Sequence, residues 1–391
     1  MTKATPLTDV RVSAERLRPA LAERAAAHDR DGVFPVSDFE SIREAGLLGL
    51  MCPESLGGAG AGFADYAEIA MTLAAGNGST ALLFNMHSSI TGALASMPDD
   101  VARSMGVPDS YFSMRDRVLS QAAAGAFFAV AMSERGAGSR LSEVRTTYER
   151  KGDDGYLIRG AKTFCSGAGH ADAYLVAARD GERVSYFLVP SGPGIEVEPT
   201  WDALGMRATG SHDLHLDVLA PPDSLLGGVE GLALVLAQVM PQWLVASYAA
   251  VYVGVAQSAI DACVQHVCDR GLSHLPAVRA RLGRADAQVA AARAVMMEAA
   301  HRVDDAPGSP ETNRSVWRAK LVAGETAMAV AASMLEAAGT SAMRKGHPLE
   351  RIYRDARCGS LQPATTDVCA DWLGTAALGL DADAGNGVPR W

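Results

Sequence analysis

The spacing of apolar residues changes twice along the chain, and these changes limit the possible fold more than any other feature. From residue 13 to about residue 119, apolar positions recur every three or four residues, which predicts amphipathic helices. Between residues 127 and 226 they form short runs rich in Val, Tyr, Phe and Leu, with strict alternation in HDLHLD, which predicts β-strands. After residue 227 the helical spacing returns. The sequence therefore predicts a β-domain between two helical domains.

Three domains are predicted from these changes: residues 1–125, 126–228 and 229–391. A chain of 391 residues exceeds one typical domain of roughly 150 residues. The last domain contains four long periodic segments, which predict a helical bundle. Pro241 is expected to interrupt the first segment, because proline removes a backbone donor and crowds the preceding turn. The four segments are residues 232–269, 277–303, 315–338 and 364–378.

Charge and composition exclude some classes of partner. The net charge of −10 argues against nucleic acid, whose phosphates require clustered Lys and Arg. No uninterrupted apolar run reaches the roughly 18 residues that span a bilayer, and the start MTKATPLTDVRVSAERLRPALAERA is charged and amphipathic. We therefore expect a cytoplasmic protein without a nucleic acid or membrane partner. The six cysteines include no C-x-x-C pair, so we expect reduced thiols and no metal site.

A glycine loop, MSERGAGS, occupies residues 132–139. Gly136 and Gly138 let the backbone approach a diphosphate or a planar ring without a Cβ clash. Ser133 and Ser139 add hydroxyl groups that can donate to carbonyl or phosphate oxygens. Taken alone, the loop is compatible with cofactor binding and with an ordinary glycine-rich turn.

Several motifs, in this order, resemble those of the acyl-CoA dehydrogenase superfamily and together cover almost the whole chain. They are GLLGL with PESLGGAG (residues 46–60), MSERGAGS (132–139), DGYLIRGAK (154–162), LGMRATGS with PP (204–222) and RDA (354–356). The resemblance implies an α+β, mostly α fold, with an N-terminal helical domain, a middle β-barrel domain and a C-terminal four-helix bundle. It also implies FAD as the cofactor and assembly into a homotetramer or homodimer.

The same resemblance implies roles for individual residues. Phe164 would pack on the flavin, and the Ser166 hydroxyl would bond to N5, the atom that accepts hydride. Four residues of the glycine loop would contact the flavin: Met132, Ser133, Gly138 and Ser139. The remainder of the cofactor would be contacted by Arg270, which reaches the diphosphate in a neighbouring subunit, and by Gly339, Thr340 and Thr365.

The residue expected to act as catalytic base is missing from the sequence. In the superfamily, RDA is followed about eight residues later by Glu-Gly-Thr, whose Glu removes the substrate α-proton. Here those positions hold Pro363, Ala364 and Thr365, and a proline side chain cannot accept a proton. Asp367, one helical turn further on, is predicted as a relocated base, with a helix-start Asp as the alternative. Neighbouring charges are predicted to organise the bundle: Arg351, Arg354 and Asp355.

Three functions stay open at the level of sequence. The first is α,β-dehydrogenation of an acyl thioester, carried by CoA or a carrier protein, with electron-transfer flavoprotein or O₂ as the electron acceptor. The second is a flavin monooxygenase or N-oxygenase, which uses reduced flavin and O₂ and needs no such Glu. His87, His170 and His212 are candidates for that chemistry, each with a structural role as the alternative. The third is flavin binding without turnover.

Overall fold

Helices make up the N-terminal region, as the apolar spacing predicts. The structure, a computed structural model, describes residues 6–243 and 245–380. The helices are α1 (Leu7–Asp31), α2 (Val36–Glu44), α3 (Phe63–Gly76), α4 (Gly78–Ser96), α5 (Asp99–Ser104) and α6 (Asp109–Ala123). Nearly all of α4 is buried, because most of its residues are apolar or small and such residues occur on every face. Asn77 caps this helix by accepting a hydrogen bond from the Ser79 amide at 3.1 Å.

The middle region is a curled sheet, which agrees with the β-domain predicted from the sequence. Its strands are β1 (Phe128–Ala131), β2 (Thr147–Arg150), β3 (Tyr156–Cys165), β4 (Ala173–Asp180), β5 (Arg183–Pro190), β6 (Ile195–Glu198) and β7 (His212–Ala220). Within the described residues, the hydrogen-bonded order is β1-β4-β2-β3-β7-β6, and β5 pairs with β4. In β7, buried and exposed side chains alternate from Leu214 to Ala220, whereas Asp213, inside the stretch predicted to alternate, is buried beside Leu214.

Helices return after the sheet and form the bundle. They are α7 (Ala233–Val239), α8 (Ala246–Asp269), α9 (Pro276–Asp305), α10 (Pro310–Ala338), α11 (Pro348–Arg357) and α12 (Thr366–Ala377). Pro241 separates α7 from α8, as predicted. The third predicted segment begins five residues earlier than expected, because Ser309 caps α10 by accepting from the Thr312 amide. The short helix α11 was missed by the periodicity.

Buried charges on α11 join all three regions of the chain. The Arg354 guanidinium bonds to the Asp29 carboxylate at the end of α1, at 2.6 and 3.0 Å, and to the Leu204 carbonyl oxygen at 2.9 Å. The buried Asp355 carboxylate accepts from the Met206 amide at 2.6 Å. These charges therefore connect the three domains, a wider role than the predicted one within the bundle.

Among the residues that the structure describes, two helical segments are long and apolar enough to cross a membrane by length and composition: Pro241–Asp269 and Pro310–Ala338. In the first, 82% of the most apolar window is buried inside the protein. The helix α8 packs against α3, α9 and α10, while α10 packs against α9, α11 and α12. Both segments therefore contribute the central helices of the bundle.

Candidate active site

A β-bulge turns Phe164 out of the sheet. Between Lys162 and Cys165, β3 contains one residue more than the facing stretch of β7. Phe164 adopts a φ of +57°, and its side chain is 63% exposed. Its ring meets Trp201 edge to face, with the centroids 6.0 Å apart. The bulge thus presents an aromatic ring beside the glycine loop.

The glycine loop (residues 132–139) is held in place by a buried ion pair. Two backbone hydrogen bonds between Glu134 and Gly138, at 2.9 and 2.8 Å, close the loop. The Glu134 carboxylate accepts from the Lys162 ammonium and from the Thr146 hydroxyl, both at 2.7 Å. Burial alone would raise the pKa of Glu134, but Lys162 and the Thr146 donors outweigh it and lower this pKa. The loop is therefore anchored through a charged carboxylate.

The outer side of the glycine loop is open to a ligand. Gly136 and Gly138 have φ values of +89° and +63°, a region that L side chains rarely adopt. A Cβ at Gly138 would meet nothing within 4 Å. Among the described residues, the Ser133 and Ser139 hydroxyls have no hydrogen-bond partner. Both hydroxyls are therefore available to a bound group.

A cavity of about 410 Å³ lies between the glycine loop and the bulge. At its edge, Nε and Nη2 of Arg135 donate to the Asp213 carboxylate at 2.9 and 2.7 Å. The Thr163 hydroxyl donates to the other oxygen of this carboxylate at 2.7 Å. Burial raises the pKa of Asp213, but these hydrogen bonds outweigh it and lower the pKa. The lining residues are Glu134, Arg135, Gly136, Gly138, Thr163, Phe164, Thr200, Trp201, Ser211 and Asp213.

Ser166 is buried near the same cavity. Its Oγ lies 2.9 Å from Oγ of Ser211, which lines the cavity. The structure thus brings Phe164, Ser166 and the glycine loop together, although they are up to 34 residues apart in the chain. This is the arrangement that the resemblance implies.

A second cavity, of about 120 Å³, is almost entirely apolar. It lies between α4, the sheet and α7, and Met132 of the glycine loop forms part of its wall. The described residues that line it include no carboxylate, histidine, lysine, arginine or cysteine. The residues are Ser89, Ile90, Ala93, Leu94, Met97, Ala102, Met105, Val107, Tyr111, Met132, Leu175, Tyr186, Leu226, Gly227, Leu232, Leu236, Ala237, Met240 and Trp243.

The residues predicted to contact the rest of the cofactor lie at one end of the bundle. Arg270 follows the last residue of α8, and Gly339 follows the last residue of α10. These helix ends are adjacent, because Oγ of Ser341 is 3.4 Å from Nε2 of His266. Arg270, Gly339 and Thr340 are exposed and do not line the cavity beside the glycine loop. Their contacts with a cofactor stay a prediction.

The start of α12 contains Thr365 and Asp367, the second of which is the predicted catalytic base. Thr365 caps the helix, since its hydroxyl oxygen accepts from the Val368 amide at 3.3 Å. Asp367 is exposed in the first turn, where a carboxylate interacts favourably with the helix dipole. It lines neither cavity described above. Its role as a base stays a prediction, beside the helix-start alternative.

A buried lysine on α10 forms hydrogen bonds to the segment that precedes Pro363. The Lys320 ammonium on α10 donates to the carbonyl oxygens of Gly359 and Gln362, at 2.8 and 3.1 Å. The Tyr252 hydroxyl donates to the Gln362 side chain at 2.8 Å. Burial lowers the pKa of Lys320 to about 8. Sequence reasoning did not anticipate this contact.

His87 has a structural role in the N-terminal domain. Its Nδ1 accepts from the Phe128 amide at 3.1 Å, so Nε2 carries the proton and donates to the Leu48 carbonyl oxygen at 2.7 Å. Burial lowers the pKa of His87 to about 4. The imidazole is therefore neutral and fully bonded, and it joins α4 to the first strand.

The other two candidate histidines are also engaged. The His170 ring stacks on Phe34, with the centroids 4.2 Å apart. Nδ1 of His212 accepts from the Trp201 amide at 3.0 Å. Neither histidine lines the two cavities described above. The structure therefore favours the structural alternative for both.

Comparisons with known proteins identify the family of this chain. Three family models match in order: the acyl-CoA dehydrogenase N-terminal domain at residues 11–103, the middle domain at 129–219 and the C-terminal domain at 246–362. A putative acyl-CoA dehydrogenase of Bacillus subtilis (strain 168), YdbM, is 30% identical over 93% of this chain and 95% of its own length. The chain belongs to the acyl-CoA dehydrogenase family.

Similar proteins in this family are not all dehydrogenases. The L-evernosamine nitrososynthase of a Micromonospora species is 32% identical over 93% of this chain and 89% of its own length. The FMN-bound structure of TdsC, a dibenzothiophene monooxygenase from Paenibacillus sp. A11-2, superposes with a TM-score of 0.82 at 26% identity. That match covers 95% of this chain and 97% of TdsC. The family alone therefore establishes a flavoprotein oxidoreductase but not its reaction.

The residues of the first cavity and of the glycine loop beside it fit a flavin, the cofactor of this family. Phe164 offers an exposed aromatic face, and the glycine loop leaves room for a close approach of its backbone. The free hydroxyls of Ser133 and Ser139 can bond to ring or phosphate oxygens. When bound, the flavin supplies the electron-transfer chemistry, and these residues orient it.

The ion pair beneath the glycine loop was also missed in the sequence. The sequence nevertheless contained a signal for this ion pair. Side chains alternate between the two faces of a strand, so Lys162 lies on the same face of β3 as Tyr156 and Ile158, which are buried. A lysine on the buried face of a strand requires a partner. The sequence alone does not identify Glu134 as that partner.

Proposed function

We propose that the protein is a flavin-dependent monooxygenase that inserts one oxygen atom of O₂ into an apolar substrate. Reduced flavin would supply two electrons, and the second oxygen atom would leave as water. The observation that carries the proposal is the apolar cavity beside Met132, whose lining holds no carboxylate or other charged group. Removal of an acyl α-proton requires such a group within hydrogen-bonding reach of the substrate. Oxygen insertion does not require it.

The composition of the apolar cavity supports an apolar substrate group. Its walls are aliphatic and aromatic, with four methionines, whose flexible side chains adapt to irregular shapes. Pro363 occupies the position of the family's base, and Asp367 lies outside the cavity lining. TdsC, a dibenzothiophene monooxygenase, is a precedent for oxygenation on this fold, and the Micromonospora nitrososynthase is a similar protein that is not named a dehydrogenase.

A second candidate function is α,β-dehydrogenation of an acyl thioester, with Asp367 as the base. The similarity to YdbM favours it, and the apolar cavity also fits an acyl chain. Electrons would then pass from the flavin to electron-transfer flavoprotein or O₂. FAD is the flavin that family membership leads us to propose in either case, and FMN is the form bound to TdsC. Mass spectrometry of flavin released from the purified protein distinguishes the two cofactors.

One experiment separates the two reactions. The protein is loaded with flavin, reduced without oxygen and mixed with ¹⁸O₂ and a panel of apolar aromatic compounds, amines and acyl thioesters. We expect a product that contains one ¹⁸O atom, and no anaerobic bleaching of oxidised flavin by any thioester. Bleaching by a thioester that disappears in Asp367→Asn, without labelled product, would overturn the monooxygenase proposal. A matched variant, Asp371→Asn, controls for a change of charge on the same helix.

We also propose that the protein forms a homo-oligomer. Apolar side chains are exposed on and near α12, including Leu361 at 59%, Leu378 at 76% and Val368 at 39%. Surfaces of this kind are often buried between subunits. Light scattering on the purified protein is expected to give a mass of at least twice 40.8 kDa. A monomer mass at micromolar concentration would contradict this expectation.

A further inference from the structure

Three hydroxyl groups form a chain behind the first cavity. Oγ1 of Thr209 lies 2.8 Å from the Met206 carbonyl oxygen and 2.7 Å from Oγ of Ser211. Oγ of Ser211 in turn lies 2.9 Å from Oγ of Ser166. All three side chains are buried, and Thr209 is completely inaccessible. The donor and acceptor in each hydrogen bond of this hydroxyl chain can therefore be assigned without considering bonds to bulk water.

The carbonyl at the end of the chain determines the direction of every hydrogen bond in it. A carbonyl oxygen has no proton, so two oxygens 2.8 Å apart require the Thr209 hydroxyl to donate to Met206. The Thr209 oxygen can then only accept a hydrogen bond from the Ser211 hydroxyl. This bond uses the single hydroxyl proton of Ser211. Ser211 can in turn only accept from Ser166. Each hydroxyl proton is thus used inside the chain, and the Ser166 and Ser211 oxygens have only lone pairs left.

We propose that Thr209 and Ser211 are positioning residues that make the Ser166 hydroxyl a hydrogen-bond acceptor toward the flavin. The inference rests on the proposed flavin site and on the assignment of Ser166 to N5. Reduced flavin carries a hydrogen on N5 and can donate to such an acceptor, whereas oxidised flavin has only a lone pair there. The site therefore binds the reduced form of the cofactor more tightly than the oxidised form.

The location of the chain fits this role. Ser166 follows the bulge that presents Phe164. The residue that would pack on the flavin ring and the residue that would contact N5 therefore belong to one segment. The Gly167 amide donates to the Thr209 carbonyl oxygen at 2.8 Å, which fixes this segment against the Thr209 turn. Ser211 lines the cavity, while Thr209 lies behind it. A substitution at Thr209 therefore changes the donor available to the flavin without touching the flavin.

The test compares dissociation constants for oxidised and for anaerobically reduced flavin, measured by fluorescence titration of the purified protein. In Thr209→Val, the freed Ser211 proton can turn to Ser166, and the Ser166 proton can turn to N5. In Ser211→Ala, the Ser166 proton is free directly. We expect the ratio of the oxidised to the reduced dissociation constant to exceed one in the parent protein. It should fall roughly tenfold in both variants, equivalent to about 30 mV for a two-electron couple.

Thr209→Ser is the matched control, because it keeps the hydroxyl and should keep the parent ratio. A purely structural role would weaken both redox forms equally, so an unchanged ratio in Thr209→Val and Ser211→Ala would overturn the inference while leaving the proposed flavin site intact. A parent protein that binds neither FAD nor FMN in either redox state would overturn the proposed function, and the inference with it. The two failures are therefore distinguishable.

Discussion

Nζ of Lys162 lies 2.7 Å from Oε1 of Glu134, and both side chains are buried beneath the glycine loop. The pair connects the loop to the strand that carries Phe164. A flavin bound against both elements would therefore depend on this ion pair, whose Glu134 also lines the first cavity. The geometry of the site is determined as much by this support as by the residues that face the cavity.

Breaking that ion pair should destabilise the protein. Lys162→Met leaves the Glu134 carboxylate buried without its cation, and we expect the free energy of unfolding to fall by about 3–5 kcal/mol. Urea denaturation followed by circular dichroism measures the change. Lys151→Met is the matched control at a partly exposed lysine, with an expected change below about 0.5 kcal/mol. Equal stabilities of the two variants would refute the structural role of the pair.

The junction between the three domains depends on the shape of the Arg354 guanidinium. Lysine cannot reproduce its two bonds to Asp29 together with the bond to Leu204, so Arg354→Lys should cost about 2 kcal/mol or more. Arg357→Lys, at an exposed position on the same helix, should change stability little. Thermal unfolding of both variants provides the comparison, and a similar loss in both would argue against a specific junction.

Lys320 should make stability depend on alkaline pH. Burial lowers its pKa to about 8 from the ordinary value of 10.5, so the unfolded chain binds more protons between these values. Stability contributed by this group therefore rises with pH, by roughly 2 kcal/mol from pH 7 to 9.5. The free energy of unfolding is measured for the parent and for Lys320→Met at both pH values. The difference between the two proteins isolates the contribution of Lys320, because all other titratable groups are present in both. A constant difference between the two proteins would show that the Lys320 pKa is ordinary.

Gly138 and Gly181 allow a matched test of the flavin site. Both have positive φ, +63° and +58°, and a Cβ at either would meet nothing within 4 Å. Each substitution to alanine should cost about 1 kcal/mol of stability for the left-handed backbone. Only Gly138→Ala should also weaken flavin binding, by about tenfold, because Gly138 lines the cavity. Equal flavin affinities in the two variants would place the cofactor elsewhere.

Much of the fold was predictable because it depends on local patterns. The apolar spacing indicated the order of helices, strands and helices, and Pro241 interrupted the bundle where expected. The helix α11 was missed, because a helix of ten residues contains too few repeats to show a period. The glycine loop and Phe164 were recognised as a likeness to known motifs, but the bulge that orients Phe164 depends on pairing with β7.

The sequence by itself determined the family and the order of its three parts, and it predicted the loss of the usual base, since each depends on residues that are close along the chain. Only the tertiary structure decided that Glu134 pairs with Lys162 and that the hydroxyl groups of Thr209, Ser211 and Ser166 lie within hydrogen-bonding distance of one another. It alone showed that no carboxylate stands among the described residues that line the apolar cavity. These features join segments separated by tens of residues, and their chemistry follows from distances and burial, which periodicity does not encode.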